Sequence, residues 1–167
     1  ESKFNASAQS PNGARGVMQL MPSTASFIGN NRALNGAKRN QLFDPELNMT
    51  LGQRYINHLL KQAGSKGDLF TLAIAYQRGP GKLESWRKQF SHGPFGEDPL
   101  LFVESIPSEH SRRYLERVVT DYWMYQDRLG ETPHTLDAIA AGEWPVFQRR
   151  IVPVARVGDA VRVGGRS

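Results

Sequence analysis

Glu1 stands near Phe4, Val17, Met18 and Met21 in sequence. A carboxyl in apolar surroundings keeps its proton to higher pH, because burial penalises the charged form. Such a group can protonate a leaving oxygen and later accept a proton, which is general acid–base chemistry. Taken alone, a Glu at this position reads as a solvated charge, and Met18 and Met21 read as core fillers. Two tyrosines offer an apolar wall with a polar edge. Tyr76 lies on an apolar run just before Gly79-Pro80-Gly81, and Tyr114 lies on a helical stripe. Other chemistries find little support. There is no Cys, hence no disulfide, thiolate nucleophile or thiolate metal site. His58, His92, His110 and His134 are far apart without ligand spacing, so neither a metal nor another cofactor is expected.

The elements that must position these groups are mostly helical. Pro22 opens a short helix to Ile28, ended by Gly29. Asp44-Pro45 caps and starts a longer one, in which Leu47, Leu51, Tyr55, Leu59 and Ala63 recur at i+4 up to Gly64. Asp68 caps an apolar helix over Leu69 to Arg78, stopped by Gly79-Pro80-Gly81. Gln89 to Pro99 reads as a loop. Ser111 to Leu129 is the longest helix, striped by Tyr114, Leu115, Val118, Val119 and Tyr122. A last short helix covers Thr135 to Ala141. Ser7 to Gln19, with Gly13 and Gly16, suits a small hairpin. The fold class predicted is mainly α, a compact multi-helix domain with at most a small β-hairpin.

The chain has 167 residues, enough for one domain with its own core. Its net charge of +5 suggests an anionic partner at first sight. The distribution removes that suggestion. Residues 148–167 carry five Arg and one Asp, so the body over 1–147 keeps a net charge of only +1. Without a basic helix, a nucleic-acid partner is not expected. The reading is a body over 1–147 and a basic linker-like tail over 148–167, with at most a weak contact to an anionic envelope surface.

Four blocks occur in order. The first is Glu1-Ser2-Lys3-Phe4, Ala8-Gln9-Ser10 and Gly13-Ala14-Arg15-Gly16-Val17-Met18-Gln19-Leu20-Met21-Pro22. Asn48, Gly52, Tyr55 and Leu59-Leu60 follow on one helix. Next come Ala73-Ile74-Ala75-Tyr76-Gln77-Arg78-Gly79-Pro80-Gly81, then Glu104-Ser105-Ile106-Pro107 with Arg112-Arg113-Tyr114-Leu115. Together they resemble the soluble lytic transglycosylase family of peptidoglycan-cleaving enzymes. The resemblance implies a lysozyme-like α+β fold. It implies non-hydrolytic cleavage of the β-1,4 bond between N-acetylmuramic acid and N-acetylglucosamine, leaving a 1,6-anhydro ring. Glu1 would be general acid and then base. Ser10, Gln19 and Met21 would line the cleft. Tyr76 would contact N-acetyl or carbonyl groups and help hold Glu1, and Tyr114 would hydrogen-bond near it. Gly13, Gly16, Gly79 and Gly81 would let backbone approach sugar. The partner would be peptidoglycan strands, in the periplasm or cell envelope, met by a monomer. A lysozyme-type hydrolase and a non-catalytic glycan-binding module are the alternatives.

Ordinary glycosidases use two carboxylates. Here no second one stands out, and Glu104 is the nearest candidate. The chain also departs from the family pattern. Gln77-Arg78 stands where the family has Asn-Ala, Ser108 replaces an aromatic, His110 a Glu and Ser111 a Thr. These changes bear on substrate preference more than on reaction type, so Gln77 and His110 join the substrate-binding candidates. The family also places a helix before its Glu. Beginning at Glu1, the chain lacks that helix and is expected to be less stable and less active than a parent that has it.

Overall fold

Helix starts in this chain are set by capping oxygens and prolines. The computed structural model describes residues 2–62, 67–89 and 98–147. These hold α1 (Pro22–Ile28), α2 (Pro45–Lys61), α3 (Leu69–Arg78), α4 (Pro80–Gln89), α5 (Pro99–Glu104), α6 (Glu109–Arg128) and α7 (His134–Ala140), with two 3-10 turns at Arg32–Asn35 and Arg39–Phe43. The side chains of Asp44, Asp68, Asp98 and Ser108 each accept a first-turn N–H, at the heads of α2, α3, α5 and α6. Pro22, Pro45 and Pro99 occupy first-turn positions, where no N–H is required.

α3 is the axis of the core. Every residue from Leu69 to Ala75 is buried, so this helix is covered on all sides. α2, α4 and α6 pack against it. They bring Leu51, Tyr55 and Leu59, then Leu83 and Trp86, then Leu115 and Val119. The chain's return strap closes one end of α3. Leu69 N donates to Pro145 O (2.8 Å), and the Trp144 ring lies 5.4 Å from that of Phe102.

Asn48 ties the N-terminal segment to this core. It is completely buried. Its Nδ2 donates to Arg15 O (3.0 Å) and Leu42 O (2.9 Å), and its Oδ1 accepts from Met18 N (2.7 Å). One turn on, Gly52 receives Met18, and a Cβ there would come within 2.8 Å of Met18 Cγ. Asn48-Met49-Thr50 has the form of a glycosylation sequon, but the burial of Asn48 removes it from any such use.

The structure departs from sequence expectation in four places. Pro80-Gly81 does not end the helical region. Gly79, at φ +84°, turns the chain, and its carbonyl accepts from Leu83 N as α4 begins. α5 was hidden because six residues are too few to show a stripe, although Asp98-Pro99 repeats the signal of Asp44-Pro45. α6 starts at Glu109, before Ser111, because Ser108 caps it. The hairpin over Ser7 to Gln19 reduces to isolated bridges between Gln9 and Arg15 and between Arg15 and Leu20. Gly64 and most of the Gln89–Pro99 span lie outside the described residues, as do Glu1 and 148–167.

Two stability tests follow from these contacts. Asn48→Ala is expected to cost about 2–4 kcal/mol in chemical denaturation, because buried backbone groups lose their partners. Asn48→Asp keeps the acceptor but loses both donations and sets a carboxylate against two carbonyls, so it should cost more. Burial pushes the Asp68 carboxyl above its ordinary value, against the opposing hydrogen bonds from Thr71 and the charge of Arg87. The folded state therefore holds this proton more tightly than the unfolded chain. Its contribution is full in acid and is lost as pH rises through the raised value. Asp68→Asn should flatten that part of the stability profile, read by denaturation between about pH 4 and 7.

Candidate active site

The N-terminal loop forms one wall of a cleft because its backbone is held from several directions. Four successive carbonyls each accept a side-chain hydrogen bond. Arg15 O takes Asn48 Nδ2, Gly16 O takes Gln19 Nε2 (2.8 Å), Val17 O takes Ser2 Oγ (2.6 Å) and Met18 O takes Tyr76 Oη (2.9 Å). Backbone polar groups removed from water must find partners, and here side chains supply them where no helix or sheet does. Gln19 itself sits at φ +46°, and its Nε2 also reaches Ala8 O (3.2 Å). Ser10 Oγ accepts from Ala14 N (3.0 Å), closing the tight turn beside it.

Opposite this loop stand the end of α3 and the start of α6. Tyr76 packs on Tyr55 of α2, with ring centroids 5.2 Å apart. Arg78 closes α3 and reaches across to α6, where Nε donates to Ser111 Oγ and Nη2 to Ser108 Oγ, both at 2.8 Å. Between the walls lies a cleft of about 620 Å³. Ser10, Gln19, Met21, Tyr76, Gln77, His110 and Tyr114 all line it, so every substrate-binding candidate drawn from sequence meets in one place. Glu1 lies outside the described residues. A smaller groove of about 450 Å³ at the head of α2, lined by Gln41, Asp44, Glu46, Leu47 and Thr50, holds none of the candidates.

Other expectations are corrected. Gly13, Gly16, Gly79 and Gly81 do not line the cleft. Gly16 is required for packing instead: at φ +76°, its Cβ would fall 2.3 Å from Leu42 O. Glu104 is not a second cleft carboxylate, because it is exposed and paired with Arg112 at 3.2 Å. Among the described residues no Asp or Glu lines the cleft. No group of three or more His, Asp or Glu among them is placed to hold a metal ion, and no helix among them is long and apolar enough to cross a membrane. Tyr55 and Arg78 line the cleft and were not singled out as site residues. Tyr55 shared its signal with the core stripe of α2, and Arg78 was noticed only as a departure from a pattern.

This helical domain with a cleft between a braced loop and two helix ends matches the transglycosylase SLT domain family over residues 1–97. The chain belongs to that family. It is 34% identical over 145 residues to the soluble lytic murein transglycosylase of Escherichia coli strain K12, covering 86% of this chain and 21% of that protein. The chain thus spans about a fifth of the length of this relative. Among solved structures, the 70 kDa soluble lytic transglycosylase of Escherichia coli superposes with a TM-score of 0.68 at 32% identity, over 78% of this chain and 21% of that one. An inactive Glu-to-Gln mutant of the lytic transglycosylase Slt from Pseudomonas aeruginosa gives 0.66 at 31%, over 79% and 21%. The expected lysozyme-like helical architecture is therefore the observed one.

The Tyr76 hydroxyl is the brace that joins the loop to α3. Tyr76→Phe removes its hydrogen bond to Met18 O and keeps the ring. It should lower unfolding free energy by about 1 kcal/mol. The same change should make amide hydrogen exchange of residues 16–19 faster than that of α2.

Proposed function

We propose that this chain is the catalytic domain of a peptidoglycan lytic transglycosylase acting in the periplasm or cell envelope. The observation that carries the reading is the convergence of seven residues, chosen from three separate stretches of sequence, on one cleft. Glu1 is the proposed acid. The next residue, Ser2, is fastened to Val17 O in the cleft-wall loop, which supports a place for Glu1 at the site.

The chemistry follows from one carboxyl acting twice. Glu1 gives its proton to the glycosidic oxygen as the β-1,4 bond breaks. The acetamido oxygen of the muramic acid steadies the positive anomeric carbon. The carboxylate then takes the proton of that sugar's own C6 hydroxyl, whose oxygen closes the 1,6-anhydro ring. No water is consumed, and Glu1 ends protonated again. Intramolecular attack brings a proximity advantage of up to about 7–11 kcal/mol in well-oriented cases. A hydrolase of the usual kind needs a second carboxylate as nucleophile or base. Among the described residues none lines the cleft, which favours ring closure over addition of water. In this reading Tyr76 and Tyr114 flank the acid, Ser10, Gln19 and Met21 seat the sugars, and the tail over 148–167 takes no part in the chemistry.

Digestion of sacculi by the protein at its native length should release muropeptides one water lighter than hydrolysis products, read by mass spectrometry. Products of hydrolytic mass would mark a lysozyme-type hydrolase. Binding without cleavage would mark a glycan-binding module. Glu1→Gln should lower the cleavage rate about 10²- to 10⁴-fold while strands still bind.

A further inference from the structure

Arg78 is the only Lys or Arg that lines the cleft among the described residues. Its guanidinium is oriented by two neutral acceptors, Ser111 Oγ on Nε and Ser108 Oγ on Nη2. The acids nearest in sequence to those serines are engaged elsewhere. Glu109 pairs with Arg113 at 2.6 Å, and Glu104 with Arg112 at 3.2 Å. Arg78 itself has no carboxylate partner among the described residues. Among the described residues the charge is therefore fixed in direction but left without a counter-charge, and Nη1 has no partner there. A guanidinium held in this way is a ready receptor for a carboxylate, since its planar fork matches two oxygens. The positive end of α6 beside it adds the same sign.

A second group lies at the same corner. Gln77 lines the cleft next to Arg78. Its amide oxygen and nitrogen are both shielded from solvent, yet neither has a hydrogen-bond partner among the described residues. Buried amides left unmet are costly, so rotation of this side chain toward the cleft to meet a ligand that offers both a donor and an acceptor would relieve that cost. A fixed cation beside an unmet amide suits a ligand that carries a carboxylate close to a peptide or acetamido group.

We propose that Arg78, steered by Ser108 and Ser111, binds a carboxylate of the glycan strand while Gln77 takes the neighbouring amide. This rests on the peptidoglycan reading above. Such a strand has two sources of carboxylate: the stem peptides, and the lactyl group of muramic acid once the peptide is gone.

The test uses the protein at its native length with Glu1→Gln, so that strands survive the measurement. Dissociation constants are compared for peptide-bearing and peptide-free strands, each with carboxylates intact or chemically amidated. Arg78→Gln is expected to weaken binding of the intact strand about tenfold and to leave binding of the amidated strand unchanged. Amidation alone should cost the Arg78 protein the same factor, and the two losses should not add. A loss confined to the peptide-bearing pair assigns the carboxylate to the stem, and one in the peptide-free pair assigns it to the lactyl group. Arg78→Lys keeps the charge but cannot span both serines, and should recover only part of the affinity. Equal affinity of the Arg78 protein for intact and amidated strands of both kinds overturns the proposal, whatever the variants do. Failure of the Glu1-bearing protein to make anhydro ends overturns the catalytic reading instead, and leaves this binding comparison readable.

Discussion

A single buried amide holds the cleft-forming loop of this domain to its core. Asn48 meets two carbonyls and one N–H of the chain segments around it, and no solvent reaches it. An irregular loop has no ladder of its own, so its polar backbone must be paired by something that projects from a regular element. An asparagine on a buried helix face is suited to this, because it offers two donors and an acceptor at one point. Gly52 and Tyr55 continue the same face, the first by leaving room for Met18 and the second by backing Tyr76. One face of α2 thus seats the loop, and the loop in turn seats the cleft.

α3 serves two environments along its length. From Leu69 to Ala75 it is core, and from Tyr76 onward it is cleft wall. The change is abrupt because the helix emerges from its neighbours there and is turned by Gly79 at positive φ. The site is therefore built on the end of the most rigidly packed helix rather than on a free loop. That is the arrangement a positioned acid–base chemistry requires.

Much of this was readable in the residues. α1, α2, α3 and α7 declared themselves through Pro, Asp and Gly at their ends, signals that act locally and do not depend on the rest of the fold. The seven substrate-binding candidates were found through order and spacing of blocks, and the cleft gathers them. What sequence did not reveal has physical causes. α4 follows a Pro-Gly pair that breaks one helix while starting the next. α5 is shorter than two turns. Gly16, assigned to sugar contact, proved to relieve a clash with Leu42 O inside the protein, a distinction that depends on which backbone lies opposite. Arg78 is the clearest case: its partners, Ser108 and Ser111, lie 30 and 33 residues away, so no local pattern announces the latch.

The four braced carbonyls have a consequence for how this domain comes apart. Their donors come from Ser2, Gln19, Asn48 and Tyr76, and the last lies 58 residues from its acceptor. Only the Gln19 brace is local; the other three donors lie 15, 33 and 58 residues from their acceptors. The loop can reach its shape only after both α2 and α3 have docked, so it belongs among the late events of folding. In the opposite direction, release of either helix removes one of these long-range braces. Local contacts shape the turns of the loop, and its long-range braces make its seating on the core a report that α2 and α3 are in place.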